Sequence, residues 1–202
     1  MEKIAIFGGT FNPIHKGHRH LVEAYQSRFS FDRVLLIPTR IPPHKQVNDL
    51  AEDRHRLEMC RILAKELPFL EVSDIELKRE EKSYTFDTLT ELKKRYPNAV
   101  FYLIMGSDMF LTFRQWYRAE EMLGMAVLLT AAREPERMAE LEQERQLQER
   151  MGGQAVVLDL PVWEISSTAI RERIKQDLDT ADLLDESVAA YIKEHRLYRD
   201  ER

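Results

Sequence analysis

Gly8, Gly9, His15, Gly17 and His18, in "IAIFGGTFNPIHKGHRHLVEAY" (residues 4–25), have the types and spacing needed to bind phosphate. The paired glycines end an apolar run. Without a Cβ they let the backbone turn tightly and bring main-chain N–H groups up to a ligand. The helix expected from Gly17 onward aims its unsatisfied N–H groups and the positive end of its dipole at the same spot, which favours an anion. His15 and His18 stand three apart across the first turn and project to one side. Beside polyphosphate they are expected to take up a proton and act as charged donors. A zinc site lacks a third ligand at usable spacing. The stretch carries neither the "GK[ST]" of a Walker loop nor a G-x-G-x-x-G fingerprint. The two histidines by themselves would also fit a structural pair.

A second group lies near the other end, in "EISSTAIRERI", residues 164–174. Ser166, Ser167 and Thr168 stand where a helix begins, the preferred place for hydroxyl caps, and Arg171 follows one turn later. Taken alone, this is an ordinary helix start with a surface arginine.

The elements that must position these residues alternate along the chain. Strands are expected at "KIAIFGG", "RVLLIPT", "FLEVSDIEL", "AVFYLIMG", "MAVLLTA" and "QAVVLDLP". Helices are expected over residues 17–28, 51–66, "TFDTLTELKKRY", "DMFLTFRQWYRAEEML" and 135–150, and two more finish the chain. Continuous apolar strands separated by helices imply an α/β fold: a doubly wound, mostly parallel sheet of Rossmann-like type, covered on both faces. Its ligand site is expected beyond the carboxyl ends of the strands. No repeat or linker interrupts the pattern, so residues 1–202 read as one domain. The segment around 135–150 reads as a solvated helix of paired charges or a docking helix.

Composition narrows the class. The 202 residues are 44% hydrophobic and 32% charged, which suits a globular chain with a sizeable core. A net charge of -5 argues against broad nucleic-acid binding. The single cysteine, Cys60 in "RLEMCRIL", allows no disulfide framework and reads as a buried core thiol. The first residues lack signal-peptide character, and no apolar run reaches the roughly 18 residues of a membrane span, so a cytoplasmic location is expected.

"GGTFNPIHKGH" resembles the signature of the nucleotidyltransferases whose H-x-G-H motif is shared with class I aminoacyl-tRNA synthetases. The chain lacks the "KMSKS"-like loop of a synthetase. "EISSTAIRERI" resembles the "ISST-x-x-R" element of the same superfamily. Within it, "LLIPTRIPPHK", "KSYTFDTL" and "GSDMFLTFRQWY" resemble bacterial nicotinate-nucleotide adenylyltransferases, over nearly the full length. The resemblance implies that ATP is held by Gly8, Gly9, Thr10, Phe11, His15, His18, Ser166, Ser167, Thr168 and Arg171. It places two helix starts on opposite sides of a crevice. Nicotinate mononucleotide would lie against Thr85, Gly106, Asp108, Trp116, Tyr117 and Arg133, with Trp116 stacked on the pyridine ring. His15, His18, Lys45 and Arg171 would carry the catalysis. Mg2+ is expected to arrive on ATP rather than on a protein metal site. The partners implied are ATP and nicotinate mononucleotide, with no nucleic acid and no membrane, and assembly with further copies is left open. The match loosens at 134–153, which bears on Arg133.

Two rivals remain at the level of sequence. Another small transferase of the superfamily would use phosphopantetheine, nicotinamide mononucleotide or a cytidylyl donor. A non-catalytic nucleotide-binding scaffold would bind ATP without turnover.

Overall fold

The computed structural model describes residues 1–39, 50–79, 83–132, 137–160, 163 and 165–199. Six strands form its sheet: β1 (Lys3–Gly9), β2 (Arg33–Pro38), β3 (Leu70–Val72), β4 (Val100–Ile104), β5 (Ala126–Ala132) and β6 (Gln154–Asp159). The helices are α1 (Lys16–Phe29), α2 (Asp53–Ala64), α3 (Thr85–Arg95), α4 (Ser107–Thr112), α5 (Ala119–Leu123), α6 (Met138–Arg150), α7 (Ser167–Lys175) and α8 (Glu186–Glu194). The strand order is β3-β2-β1-β4-β5-β6, and every neighbouring pair is parallel. From β1 the chain winds outward to β3, then returns to β4 on the other side of β1. That reversal opens a crevice at the carboxyl ends of β1 and β4.

Both faces of the sheet are covered. In β1, Ala5 and Phe7 point into one core with Val22, Tyr25, Cys60 and Ile170, while Ile4 and Ile6 point into the other with Leu89, Phe101, Phe110 and Leu128. Alternation of side chains along a strand makes a run of four apolar residues serve two cores at once. Cys60 is fully buried, as its spacing suggested.

The elements differ from the sequence expectation in four places. The third strand is three residues, not nine. After Val72 the edge strand ends, and the following turn buries Ile75 and Glu76 instead. The helix expected over 108–123 is split into α4, a 3-10 turn (Phe113–Gln115) and α5, with Arg118 in the left-handed region at φ 56°. At about 100° per residue, a continuous helix would turn Phe110 and Phe113 away from Ala119, Met122 and Leu123. The break brings all five into one core. In α2 the inner face is Arg56, Met59, Cys60 and Leu63, where the sequence has Leu57, Cys60, Arg61 and Ala64 at near-helical spacing, so Arg61 faces outward and Arg56 inward. The helix α6 is not purely solvated: it buries Leu141, Glu144 and Gln148, and Glu144 holds Arg114 at 2.8 Å. Its exposed face keeps the expected charge pairs, with Arg145 between Glu142 and Glu149.

Candidate active site

The crevice is a cleft of about 1080 Å3. It is lined by Gly8, Gly9, Thr10, Phe11, His15 and His18 from the front of the chain. Thr85, Gly106, Asp108, Trp116 and Tyr117 line it from the middle, and Ser166, Ser167, Thr168 and Arg171 from near the end. Lys45 and Arg133 lie outside the described residues.

Glycine is needed at specific points. A Cβ at Gly8 would meet only Ile37 O at 4.0 Å, so glycine keeps that edge of the cleft open. At Gly9 a Cβ would come within 2.9 Å of the Phe11 ring. At Gly17 it would press on the His15 ring at 3.1 Å and on Ile165 at 3.4 Å. The turn between β1 and α1 contains Phe11 at φ 47°, a conformation that side-chain-bearing residues adopt uncommonly.

His15 caps α1 in an extended conformation, and its ring is buried beneath that of His18, stacked at 3.7 Å. The backbone N–H of His15 donates to His18 Nδ1 at 3.2 Å. An acceptor Nδ1 leaves the proton on Nε2, so His18 presents an N–H donor on its half-exposed side. In this geometry the stacked pair presents one oriented Nε2–H donor to the cleft.

The start of α7 is hydrogen-bonded to the same turn. Ser167 Oγ donates to Pro13 O at 3.0 Å, and the Arg171 guanidinium donates to Asn12 O at 2.9 Å. The start of α7 is thus held against the turn that leads into α1, and both helix starts line the same cleft. Ser166 Oγ caps the N–H of Ala169 at 3.1 Å, and Arg171 reaches Thr168 Oγ1 at 3.4 Å. With the serine hydroxyls engaged, α7 offers a ligand the N–H groups of Ser167 and Thr168 and its dipole.

The other half of the cleft is framed by the N-termini of α3 and α4. Tyr84 is the capping residue of α3, and Thr85 is the first helical residue. Gly106 caps α4. Asp108 is ion-paired with Arg137 at 2.7 Å. Trp116 is half-buried and packs on Phe113 at 5.5 Å, while Tyr117 is exposed beside Tyr84 at 4.8 Å. Beneath them, Glu76 is buried and accepts from Thr88 Oγ1 at 2.8 Å. Burial pushes its carboxyl above the usual range, partly offset by hydroxyl donors and Arg79.

Sequence reading missed Arg56, Glu76, Arg137 and Tyr198. Arg56 is fully buried and donates to Thr10 O at 2.7 Å. Tyr198 donates to Asn12 Oδ1 at 2.8 Å. Arg56 lies in a helix whose other arginines are exposed, and nothing in its spacing marks it. Arg137 lines the cleft four residues beyond Arg133, in a segment rich in charged residues. Tyr198 sits past the last periodic segment.

The chain is similar to known proteins in sequence and in fold. The cytidylyltransferase-like family profile matches residues 6–173. A "probable nicotinate-nucleotide adenylyltransferase" of Carboxydothermus hydrogenoformans is 39% identical, the match covering 98% of each chain. The nicotinate-nucleotide adenylyltransferase of Bacillus subtilis is 36% identical over 98% of this chain and 99% of that one. In fold, the chain is similar to the nicotinic acid mononucleotide adenylyltransferase of Plasmodium falciparum complexed with NaAD. There the TM-score is 0.80 at 21% identity, with 98% of each chain covered.

Proposed function

The chain belongs to the cytidylyltransferase-like family and, within it, to the nicotinate-nucleotide adenylyltransferases, and on that premise we propose how its cleft carries out the reaction. The enzyme transfers the adenylyl group of ATP to nicotinate mononucleotide, releasing pyrophosphate and forming nicotinate adenine dinucleotide. A phosphate oxygen of the mononucleotide bonds to the α-phosphorus of ATP as the bond to the β-phosphate oxygen breaks. The attacking oxygen is already anionic, so no general base is needed. What the protein supplies is alignment and stabilisation of growing charge.

His18 Nε2–H donates to the α-phosphate, with His15 fixing its ring from below. The N–H groups of Ser167 and Thr168, the positive charge of Arg171, and Lys45 hold the β- and γ-phosphates and the departing pyrophosphate. Gly8, Gly9, Thr10 and Phe11 admit the nucleotide to the end of β1. Thr85, Gly106, Asp108, Trp116, Tyr117 and Arg133 form the mononucleotide side. The observation that carries this reading is the Ser167–Pro13 hydrogen bond, which joins two sequence-distant helix starts within one cleft.

Mg2+ enters on ATP. The donors on the phosphate side are N–H groups, which suit phosphate oxygens and not a hard cation, so phosphate and water oxygens would complete its shell. The chain works as one domain in the cytoplasm, on nucleotide substrates and without nucleic acid. Among the described residues, no helix is long and apolar enough to cross a membrane.

The test is pyrophosphate release from ATP with nicotinate mononucleotide, nicotinamide mononucleotide and phosphopantetheine in parallel. Fastest release with nicotinate mononucleotide is expected. Equal or faster release with either other acceptor overturns the acceptor assignment, and ATP binding without turnover favours a scaffold.

A further inference from the structure

Resting on the reading above, we propose that Arg56 and Tyr198 are positioning residues that hold the Thr10–Pro13 turn so that the backbone N–H of Phe11 serves as a phosphate donor. Arg56 lies fully buried behind the turn and gives Nη1–H to Thr10 O at 2.7 Å. Its Nε–H goes to Ala51 O at 3.2 Å and one Nη2–H to Asp53 Oδ1 at 2.5 Å, so the guanidinium is held at all three nitrogens. The Thr10–Phe11 peptide is trans. In a planar trans peptide the C=O and N–H point in opposite directions, so a carbonyl drawn back to Arg56 turns the Phe11 N–H away from it, on a residue that lines the cleft. Among the described residues, no acceptor takes that N–H. A cationic donor on the carbonyl also polarises the peptide and strengthens its N–H as a donor.

The far end of the turn is held in the same way. Asn12 Oδ1 accepts from Tyr198 Oη at 2.8 Å and from the Ala51 N–H at 3.0 Å, while Asn12 O accepts from Arg171. Phe11, at φ 47°, stands between the two anchors. A strained residue held from both sides is preorganised, and its donor needs no reorientation when charge develops on the phosphate.

The test uses the full-length enzyme, 15N-labelled, with inorganic pyrophosphate as the probe. The Phe11 amide signal of the wild type is expected to move downfield as pyrophosphate is added. In Arg56→Lys both that movement and the resting shift should shrink, with kcat lowered about 10-fold and KM for nicotinate mononucleotide changed less than about 2-fold. Tyr198→Phe, which removes one oxygen atom, should lower kcat about 2- to 10-fold at nearly unchanged Tm. If Arg56→Lys does not fold, Tyr198→Phe and the wild-type titration decide the matter. A Phe11 amide indifferent to pyrophosphate overturns the proposal. So does Tyr198→Phe with wild-type kcat per folded molecule. Either result would leave nicotinate mononucleotide turnover by the wild type intact, whereas loss of that turnover would strike the functional reading itself.

Discussion

His18 shows how a residue's chemistry is set by what holds it. The imidazole is aimed by a backbone N–H on Nδ1, a stacked His15 below and the Phe11 ring edge-on at 5.1 Å. With Nδ1 occupied, it can donate through Nε2. Removing one oriented donor of this kind from a water-poor site costs ~3 kcal/mol of transition-state stabilisation. His18→Ala is therefore expected to lower kcat roughly 100- to 1000-fold while the far-ultraviolet circular dichroism stays that of the wild type. Near-normal turnover in that variant would remove His18 from the mechanism. The type and spacing of the two histidines were readable in the sequence. Which ring nitrogen of His18 faces the cleft was not, because it depends on the atom that the other nitrogen meets after folding. The serines of α7 make the same point: sequence marked them as hydroxyls for a helix start, and packing used those hydroxyls internally.

At the scale of elements, the cleft depends on how α1, α2 and α8 lock together. Arg19 of α1 donates to Glu66, just past α2, and to Asp185, the residue that caps α8. His55 of α2 meets Tyr191 of α8 at 3.0 Å, with Arg54, Glu52, Glu58 and His195 around them. Burial, then Arg54 and His195, hold the His55 pKa below its ordinary 6.5. The unfolded chain then binds the proton more readily than the folded one. The stability tied to His55 is complete above pH 6.5 and is lost as pH falls through the folded value. The Tm of the wild type should therefore drop between pH 7 and pH 5, and that drop should be smaller in His55→Gln. Identical slopes in the two proteins would exclude this contact as the source. Helix boundaries here followed the apolar spacing closely. Which face of α2 turned inward did not, since Arg56 was drawn in by the carbonyl of Thr10 rather than by hydrophobicity.

Over the whole molecule, one sheet with two cores fixes the distance between the front motif and the last helices. Cys60 reports on that unit as a whole, because it is fully buried in the core shared by α1, α2, α7 and α8. Burial raises its thiol pKa well above the ordinary value, so the native protein holds little reactive thiolate. Iodoacetamide at pH 8 should label Cys60 rapidly in urea and slowly in native buffer. ATP at about 100 times its Kd should slow labelling through global unfolding about 100-fold further. Fast labelling of the native enzyme would show that this core opens locally. The alternation of apolar strands and helices, the glycines and the H-x-G-H spacing lie in the order of residues along the chain, and these determined the fold class and the phosphate chemistry, because period and backbone freedom are local properties. Tertiary structure alone decided that α7 docks on the Asn12–Pro13 turn, that the 107–123 segment breaks into separate pieces, and that Arg56 and Tyr198 stand behind the cleft. Each of those outcomes is a contact between residues far apart in sequence, and a buried hydrogen bond leaves no periodic trace in either of the segments it joins.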